Sequence, residues 1–434
     1  MSPYETLPFP SKGTNTDTLP VSLEDYGITS NGFLPEEPPL ERLPHPYYAP
    51  WESVVESLAT SLAEHTLRHR VDHLPILSTE HLSTKPEWQR ACVVLGFLAH
   101  AYIWGGETAA EILPPSITLP LLTVSSHLGI PPVATYACVN LWNFRTTATT
   151  LTHLDALQAQ HTFTGTQDES WFYMVSVAME AQGAYIIPVM LHALSQAAAK
   201  PSQKQHLITV ANALNELTAC ITKLGVLLAR MDEKCNPHVF YHRIRPFLAG
   251  SKNMAAAGLP RGVFYDQTGS GAGAGAGEWR QLRGGSNGQS SLIQFLDVVL
   301  GVEHAAQGNS NPDAVGELLA VGEEEEKEGG GLSEEQVAVR EAFQTATRAL
   351  AEFRNMHLQM VARYIIIPSR QANGTRGMNL ATASSRLNGS SSTEKGQAAP
   401  ASPGELTGTG GTALLPFLKQ SRDETFQAGQ LKVR

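Results

Sequence analysis

Apolar positions along this chain recur at steps of three and four, and hardly anywhere at steps of two. From residue 51 to about 104 the pattern is helical, as in WESVVESLATSLAEHTL and EWQRACVVLGFLAHAYIW, because that spacing puts the apolar side chains on one face of a 3.6-residue turn. A proline-punctuated stretch follows, ILPPSITLPLL and then HLGIPPVATYACVNLWNF, where prolines suit breaks between short helices. Residues 153–171 are polar and turn-like. Residues 172–194 read as one long helix with a kink expected at Pro188. Residues 204–231 read as another, with Leu207, Ala211, Leu214, Leu217, Ile221 and Leu224 on one face. Irregular sequence fills 232–290, then SSLIQFLDVVLGVEH predicts a short apolar helix. Residues 343–367 predict a strong helix ended by Pro368, and GTGGTALLPFLKQSRDET a last ordered segment. Strand signals are nearly absent and no repeat recurs, so the fold class is all-α.

Length and composition divide this pattern. At ~150 residues per domain, 434 residues suggest two or three, with two the safer count: a small helical domain over 51–155 and a large one over 156–434. Residues 1–50, rich in Pro, Ser and Thr, are expected to form an extended arm that packs only locally. Hydrophobic residues at 42% allow a large core, while 17% charged residues is low for a fully ordered surface. Three low-complexity inserts account for part of that. They are a Gly/Ala tract at about 267–278, an acidic run (GEEEEKEGGG) within about 305–333, and a Ser/Gly/Ala/Asn-rich stretch at 369–406. Such tracts bury too little to offset their conformational entropy and are expected to be disordered.

A net charge of −10 and a pI near 5.8 argue against nucleic-acid binding, which favours a basic stripe, and weakly against an anionic membrane surface. Cys92, Cys138, Cys220 and Cys235 form no CxxC or CxxCH. That excludes covalent c-type haem attachment and a disulfide framework, and fits a reducing, cytoplasmic compartment. The first residues carry neither a basic nor an apolar signal region. The longest apolar stretch, VSVAMEAQGAYIIPVMLHAL, is interrupted by Glu180, Gln182 and Pro188, so no membrane-spanning helix is expected.

Candidate chemistry begins in the 343–367 helix. Its apolar positions run Phe343, Ala346, Leu350, Phe353, Val361 and Tyr364, and the gap of eight is two steps of four with His357 at the missing middle. A histidine in a buried stripe is either a core residue bonded to a carbonyl or hydroxyl, or an axial metal ligand such as the proximal histidine of haem iron. In PHVFYHRIRPFLAG, His238 and His242 stand four apart without the Glu of HExxH. Arg243 and Arg245, set among aromatics, are either a surface pair or the kit for an amino-acid ligand, a guanidinium fork for its carboxylate and rings for its side chain. His65, His69 and His73 recur every four residues, but Glu64, Arg68 and Arg70 between them mark a wet helix face. GGSNGQSS (284–291) and GTGGT (408–412) lack the GK[ST] of a phosphate loop and suit close approach of backbone to a ligand instead.

FYHRIRPFLAG, RGGSNGQSSLIQFLDVVLGVEH, RNMHLQMVARYIIIPSRQ and GTGGTALLPFLKQSRDET, in this order and with AYIWG and LPP upstream, resemble the indoleamine 2,3-dioxygenase family from about Leu40 to the C-terminal region. The low-complexity inserts resemble its fungal members. The resemblance implies a two-domain helical protein with haem b between the domains, active in the ferrous state. It implies cleavage of the indole 2,3 bond of L-tryptophan by O2 to N-formylkynurenine, with no protein acid or base assigned. Position by position, it makes His357 the proximal iron ligand and Arg354 the partner of a haem propionate. Arg245 would hold the substrate carboxylate. Phe240, Tyr241, Phe172 and Tyr136 would line the indole site, with the Tyr241 hydroxyl changing its polarity. Ser176, Gly285 and Ser286 would stand at the distal face, and Thr409 in a loop closing over the substrate. Asn287 stands where Ala is common in the family.

The implied partners are L-tryptophan, O2 and a reductant, with no nucleic acid or membrane, and the protein is expected to be a monomer. Two other function classes compete: a haem-binding sensor or low-activity paralogue, and a non-haem helical scaffold with a structural histidine. Asp297, the one acid in the apolar IQFLDVVLG segment, is expected to be structural and to have a buried partner.

Overall fold

The computed structural model describes residues 22–199, 203–269, 275–302, 332–370 and 414–429. Among these residues nine helices have eight or more residues. In chain order they are α1 (Ala49–Glu56), α2 (Lys85–Trp104), α3 (Pro115–Leu128), α4 (Gln167–Gly183), α5 (Ile186–Ala199), α6 (Lys204–Ala229), α7 (Ser291–Val299), α8 (Glu334–Val361) and α9 (Leu414–Ala428). The all-α expectation holds. The few strands are short: β1 (Ile112–Leu113), β2 (Phe144–Thr146), β3 (Leu157–Ala159), β4 (Val263–Asp266) and β5 (Gly277–Arg280). β4 lies between a parallel β1, with Leu113 opposite Tyr265, and an antiparallel β5, while β2 and β3 pair antiparallel. β5 takes in Gly277 and Glu278, the end of the predicted Gly/Ala insert, because Glu278 pairs opposite Tyr265. Residues 270–274, 303–331 and 371–413, which hold most of the three inserts, lie outside the described residues.

The core follows the predicted stripes. Leu207, Ala211, Leu214, Leu217, Ile221 and Leu224 of α6 are all buried, as are Phe343, Ala346, Leu350 and Phe353 of α8, against which α6 packs. α8 starts earlier than its apolar stripe suggested. Ser333 caps it in a box with Gln336, which satisfies two terminal N–H groups before any apolar residue appears.

Prolines act differently from expectation at three points. Pro115 opens α3, and Pro120 sits inside the same helix rather than breaking it. At the sixth position it forfeits one hydrogen bond, to Ser116, while its ring is buried. The predicted 172–194 helix breaks at Ala184–Tyr185, so that Pro188 falls in the first turn of α5, where its missing N–H costs little. Pro368 does not end the last predicted helix, which continues through a wide turn at Ala362–Ile366 to Arg370. The 167–196 stretch is long and apolar enough to cross a membrane, but 61% of its most apolar window is buried within the protein.

The N-terminal arm also departs from expectation, because it packs well beyond its own neighbourhood. Leu34 and Leu43 are buried, and the Leu43 N–H donates to Glu52 Oε1 at 2.8 Å. Gly32, at φ +70°, touches the break after α4: a Cβ there would lie 3.0 Å from Ala184 Cα.

Buried polar side chains tie distant segments together. Glu52 and Arg90 pair at 2.6 Å, and Arg90 also donates to Gln160 Oε1 at 2.7 Å. His100 Nε2 accepts the Ala134 N–H at 3.1 Å, so Nδ1 carries the proton and donates to Phe247 O at 2.7 Å. Burial pushes His100 down to about 4 and, helped by Arg90 and Arg145, His161 to about 3, from 6.5. Both are neutral in the folded protein at neutral pH, whereas the unfolded chain binds their protons once pH falls below 6.5. Stability should therefore fall as pH drops from about 6.5 through 4. His161→Phe keeps the backbone bonds to Asn143 and the edge contact with Phe97 but removes one titrating group. The urea midpoint should thus fall less steeply with acid in the variant than in wild type, and parallel slopes would contradict the assignment.

Candidate functional site

Between α4, α6, α7, α8 and α9 lies a cavity of about 580 Å³. Its walls are mostly apolar: Phe172, Val175 and Met179 from α4, Leu228 from α6, Phe353, Met360 and Val361 from α8, and Phe417 and Leu418 from α9. A large apolar cavity with a few convergent polar groups is the usual form of a ligand or cofactor site.

His357 is one of those polar groups. It is half-buried because the cavity bares its edge, and its neighbours Phe353 and Val361 are buried as the stripe required. Burial, helped by the charge of Arg354, lowers it to about 4, so the ring is a neutral imidazole with a lone pair. No described residue hydrogen-bonds it, so the core-histidine reading, which required a carbonyl or hydroxyl partner, finds none. Neither ring nitrogen is sealed away from the cavity. Such a nitrogen on an apolar wall fits an iron ligand.

Arg354, one turn earlier, borders the cavity and has protein partners. Its guanidinium donates to Asp297 of α7, to Thr425 Oγ1, and to Ser421 O at 2.9 Å. The bonds fasten α9 to α8 and bring the cavity's α7 and α9 walls together. Asp297 thus has the buried partner expected of it, with both side chains about one-tenth exposed. Asp297→Ala should lower stability by about 3–5 kcal/mol, the cost of stranding one member of a buried pair, as read from denaturant unfolding. Asp297→Asn should retain turnover per folded molecule. A folded Asp297→Asn protein that had lost all turnover would make Asp297 a reacting group.

The two arginines of RIRPFLAG separate cleanly. Arg243 is exposed, while Arg245 is 3% exposed on the cavity wall with its guanidinium 5.6 Å from the Tyr241 ring centre. Phe240 and Arg245 reach the same wall through a wide turn, in which the Arg245 N–H donates to Phe240 O. On an ordinary α-helix residues five apart are rotated by about 140° from each other; an i→i+5 turn brings them together. Phe240 then packs 4.8 Å from Phe172, ring centre to ring centre. Tyr241 does not join them. It is buried beneath Arg245, off the cavity wall, because successive residues of a helical turn point in different directions. The polarity change expected of its hydroxyl is therefore not at the wall.

Tyr136, Ser176, Gly285 and Ser286 line the cavity, as the resemblance implied, and so do Asn287, whose position it noted, and Asn140, which it did not single out. Tyr136 leads into a second wide turn, Ala137–Leu141. Ser286 caps a short turn by accepting the Gly288 N–H at 3.3 Å. Gly284 and Gly250 let two backbones touch: a Cβ on Gly284 would sit 2.1 Å from Leu248 O. Thr409 and the GTGGT motif lie outside the described residues.

The histidine pairs stay outside the cavity. His65, His69 and His73 are exposed and do not share one helix, since His65 sits at φ 57° between two short ones. His238 is exposed, with its ring 4.4 Å from that of His242. Among the described residues no three His, Cys, Asp or Glu side chains group to hold a metal ion.

Sequence reasoning missed Glu180 and Ser290, which also line the cavity. Glu180 had been noticed as a break in an apolar stretch; its position four residues after Ser176, on the same helix face, was the available signal.

A family model described as indoleamine 2,3-dioxygenase matches residues 22–428. The chain is 38% identical to the indoleamine 2,3-dioxygenase of Saccharomyces cerevisiae, covering 96% of each chain. It is 37% identical to an indoleamine 2,3-dioxygenase of Aspergillus nanangensis (95% of this chain, 98% of that one). It is also 37% identical to a 6-hydroxytryptophan 2,3-dioxygenase of Fusarium equiseti (95% and 99%). With a match of this extent, and a cavity assembled from the motifs that first suggested the likeness, the chain belongs to the indoleamine 2,3-dioxygenase family of oxidoreductases.

Proposed function

We propose that this dioxygenase holds haem b through His357 and opens the indole 2,3 bond of L-tryptophan with O2, giving N-formylkynurenine. The observation that carries the reading is His357: a neutral imidazole without a hydrogen-bond partner among the described residues, on the wall of an apolar cavity. Arg354, bordering the same cavity, is the residue to hold a propionate. When bound in its ferrous state, haem supplies the activation of O2.

The chain's own residues bind and orient. Arg245, buried and cationic, takes the substrate carboxylate. Phe172, Phe240 and Tyr136 flank the flat indole, and the apolar walls exclude water, which strengthens the carboxylate–guanidinium attraction. No side chain is required to give or take a proton. A buried cation among rings favours turnover of an amino acid over mere haem storage, because haem binding alone has no use for it.

The test uses purified protein titrated with haemin. A Soret band at one haem per chain is expected, followed under reducing conditions by N-formylkynurenine formation from L-tryptophan, with 6-hydroxytryptophan as the comparison substrate. A stoichiometric Soret band without product would favour the sensor reading, and no Soret band would return His357 to a structural role.

A further inference from the structure

We infer that Glu180 is a positioning residue for this dioxygenase site: from one carboxyl oxygen it fixes the hydroxyls of Tyr136 and Ser290 and so sets the wall on which the substrate ring rests. The inference rests on the tryptophan-dioxygenase reading above.

Glu180 is 2% exposed in the last turn of α4. Its Oε1 accepts from Tyr136 Oη at 2.9 Å and from Ser290 Oγ at 2.6 Å. The two donors come from segments 154 residues apart in sequence, and all three residues line the cavity. Each donor in turn holds its own segment. Ser290 caps α7, its Oγ accepting the Ile293 N–H at 3.3 Å. Tyr136 leads the wide turn that carries Asn140, and its backbone N–H donates to Gln289 Oε1 at 2.9 Å. One oxygen therefore joins α4, the Tyr136 turn and the head of α7.

The arrangement is directional. Burial and the neighbouring carboxyl keep the Tyr136 hydroxyl well above its ordinary range, so it remains a donor at any working pH. Burial lifts Glu180 to about 7, but Oε1 accepts both hydroxyls whether or not the carboxyl is ionised. What Tyr136 and Ser290 need is an acceptor at that place, which a glutamine carbonyl also supplies.

The experiment measures the tryptophan dissociation constant per haem, from the substrate-induced change in the haem spectrum, together with haem content and unfolding midpoint. Glu180→Gln should stay within about threefold of wild type. Tyr136→Phe should weaken tryptophan about tenfold, the effect of losing one buried hydrogen bond and its geometry, and Glu180→Ala, which also loses the bond to Ser290, roughly ten- to thirtyfold. In the Tyr136→Phe background, Glu180→Ala should cost at most about threefold more, because the Tyr136 bond is already gone and only the bond to Ser290 is left to lose. Equal penalties in both backgrounds, or a Tyr136→Phe protein that binds as wild type, would overturn the role even if Glu180→Ala failed to fold. If wild type itself bound no tryptophan, the dioxygenase reading would fall and this role with it; wild-type binding matched by Glu180→Ala would remove this role alone.

Discussion

Replacing His357 with alanine is expected to empty the protein of haem while leaving the fold intact. The imidazole makes no hydrogen bond within the described residues, and alanine is the better helix former, so apo-protein stability should hold or rise. Haem, by contrast, would lose its iron–nitrogen bond, which a methyl group cannot replace. Haem retained through dialysis should drop to less than about a tenth of wild type, with loss of dioxygenase activity. The substitution leaves a hole the size of the ring on the cavity wall, and added imidazole should partly restore the Soret band. A variant that kept its haem and full activity would remove His357 as the ligand, and one that unfolded would make it a core residue.

Arg245→Ala should produce the second large effect, on substrate rather than cofactor. A carboxylate held by a buried guanidinium contributes ~2–4 kcal/mol, so KM for tryptophan should rise roughly 30- to 1000-fold at ~1.4 kcal/mol per decade. Haem content should not change. Tryptamine, which lacks the carboxylate, should bind wild type and variant alike. Arg245→Lys should rescue only in part, because an ammonium cannot form the planar fork. Equal weakening of tryptophan and tryptamine, or loss of haem, would assign Arg245 to structure and send the search for the clamp to Arg243 or elsewhere.

His357 was legible because a helix has a period: a polar residue in the one empty position of a buried stripe announces itself. The buried face of α6 was legible for the same reason. The wide turns were not. Those at Ala137–Leu141, Phe240–Ile244 and Ala362–Ile366 each leave a cavity residue at or near them, yet nothing in their composition distinguishes them from ordinary helix. This is why Tyr241 could be placed beside Phe240 when the chain turns it under Arg245. Glu180 was legible only as an interruption, since its meaning depends on Tyr136 and Ser290, which the sequence sets far away. Nor could the sequence show that Arg354 answers to Asp297, a pairing made across three helices that meet only in the folded core.

Dioxygenation of L-tryptophan in this cavity would place both atoms of O2 in the product. Its most direct test is a reaction of the haem-loaded, reduced protein with L-tryptophan under ¹⁸O2, read by mass spectrometry of the product before deformylation. The expected product is N-formylkynurenine carrying two ¹⁸O atoms, one on the ketone and one on the formyl group, apart from exchange with water. A product carrying one labelled oxygen, or unchanged tryptophan from protein with a full complement of haem, would contradict it.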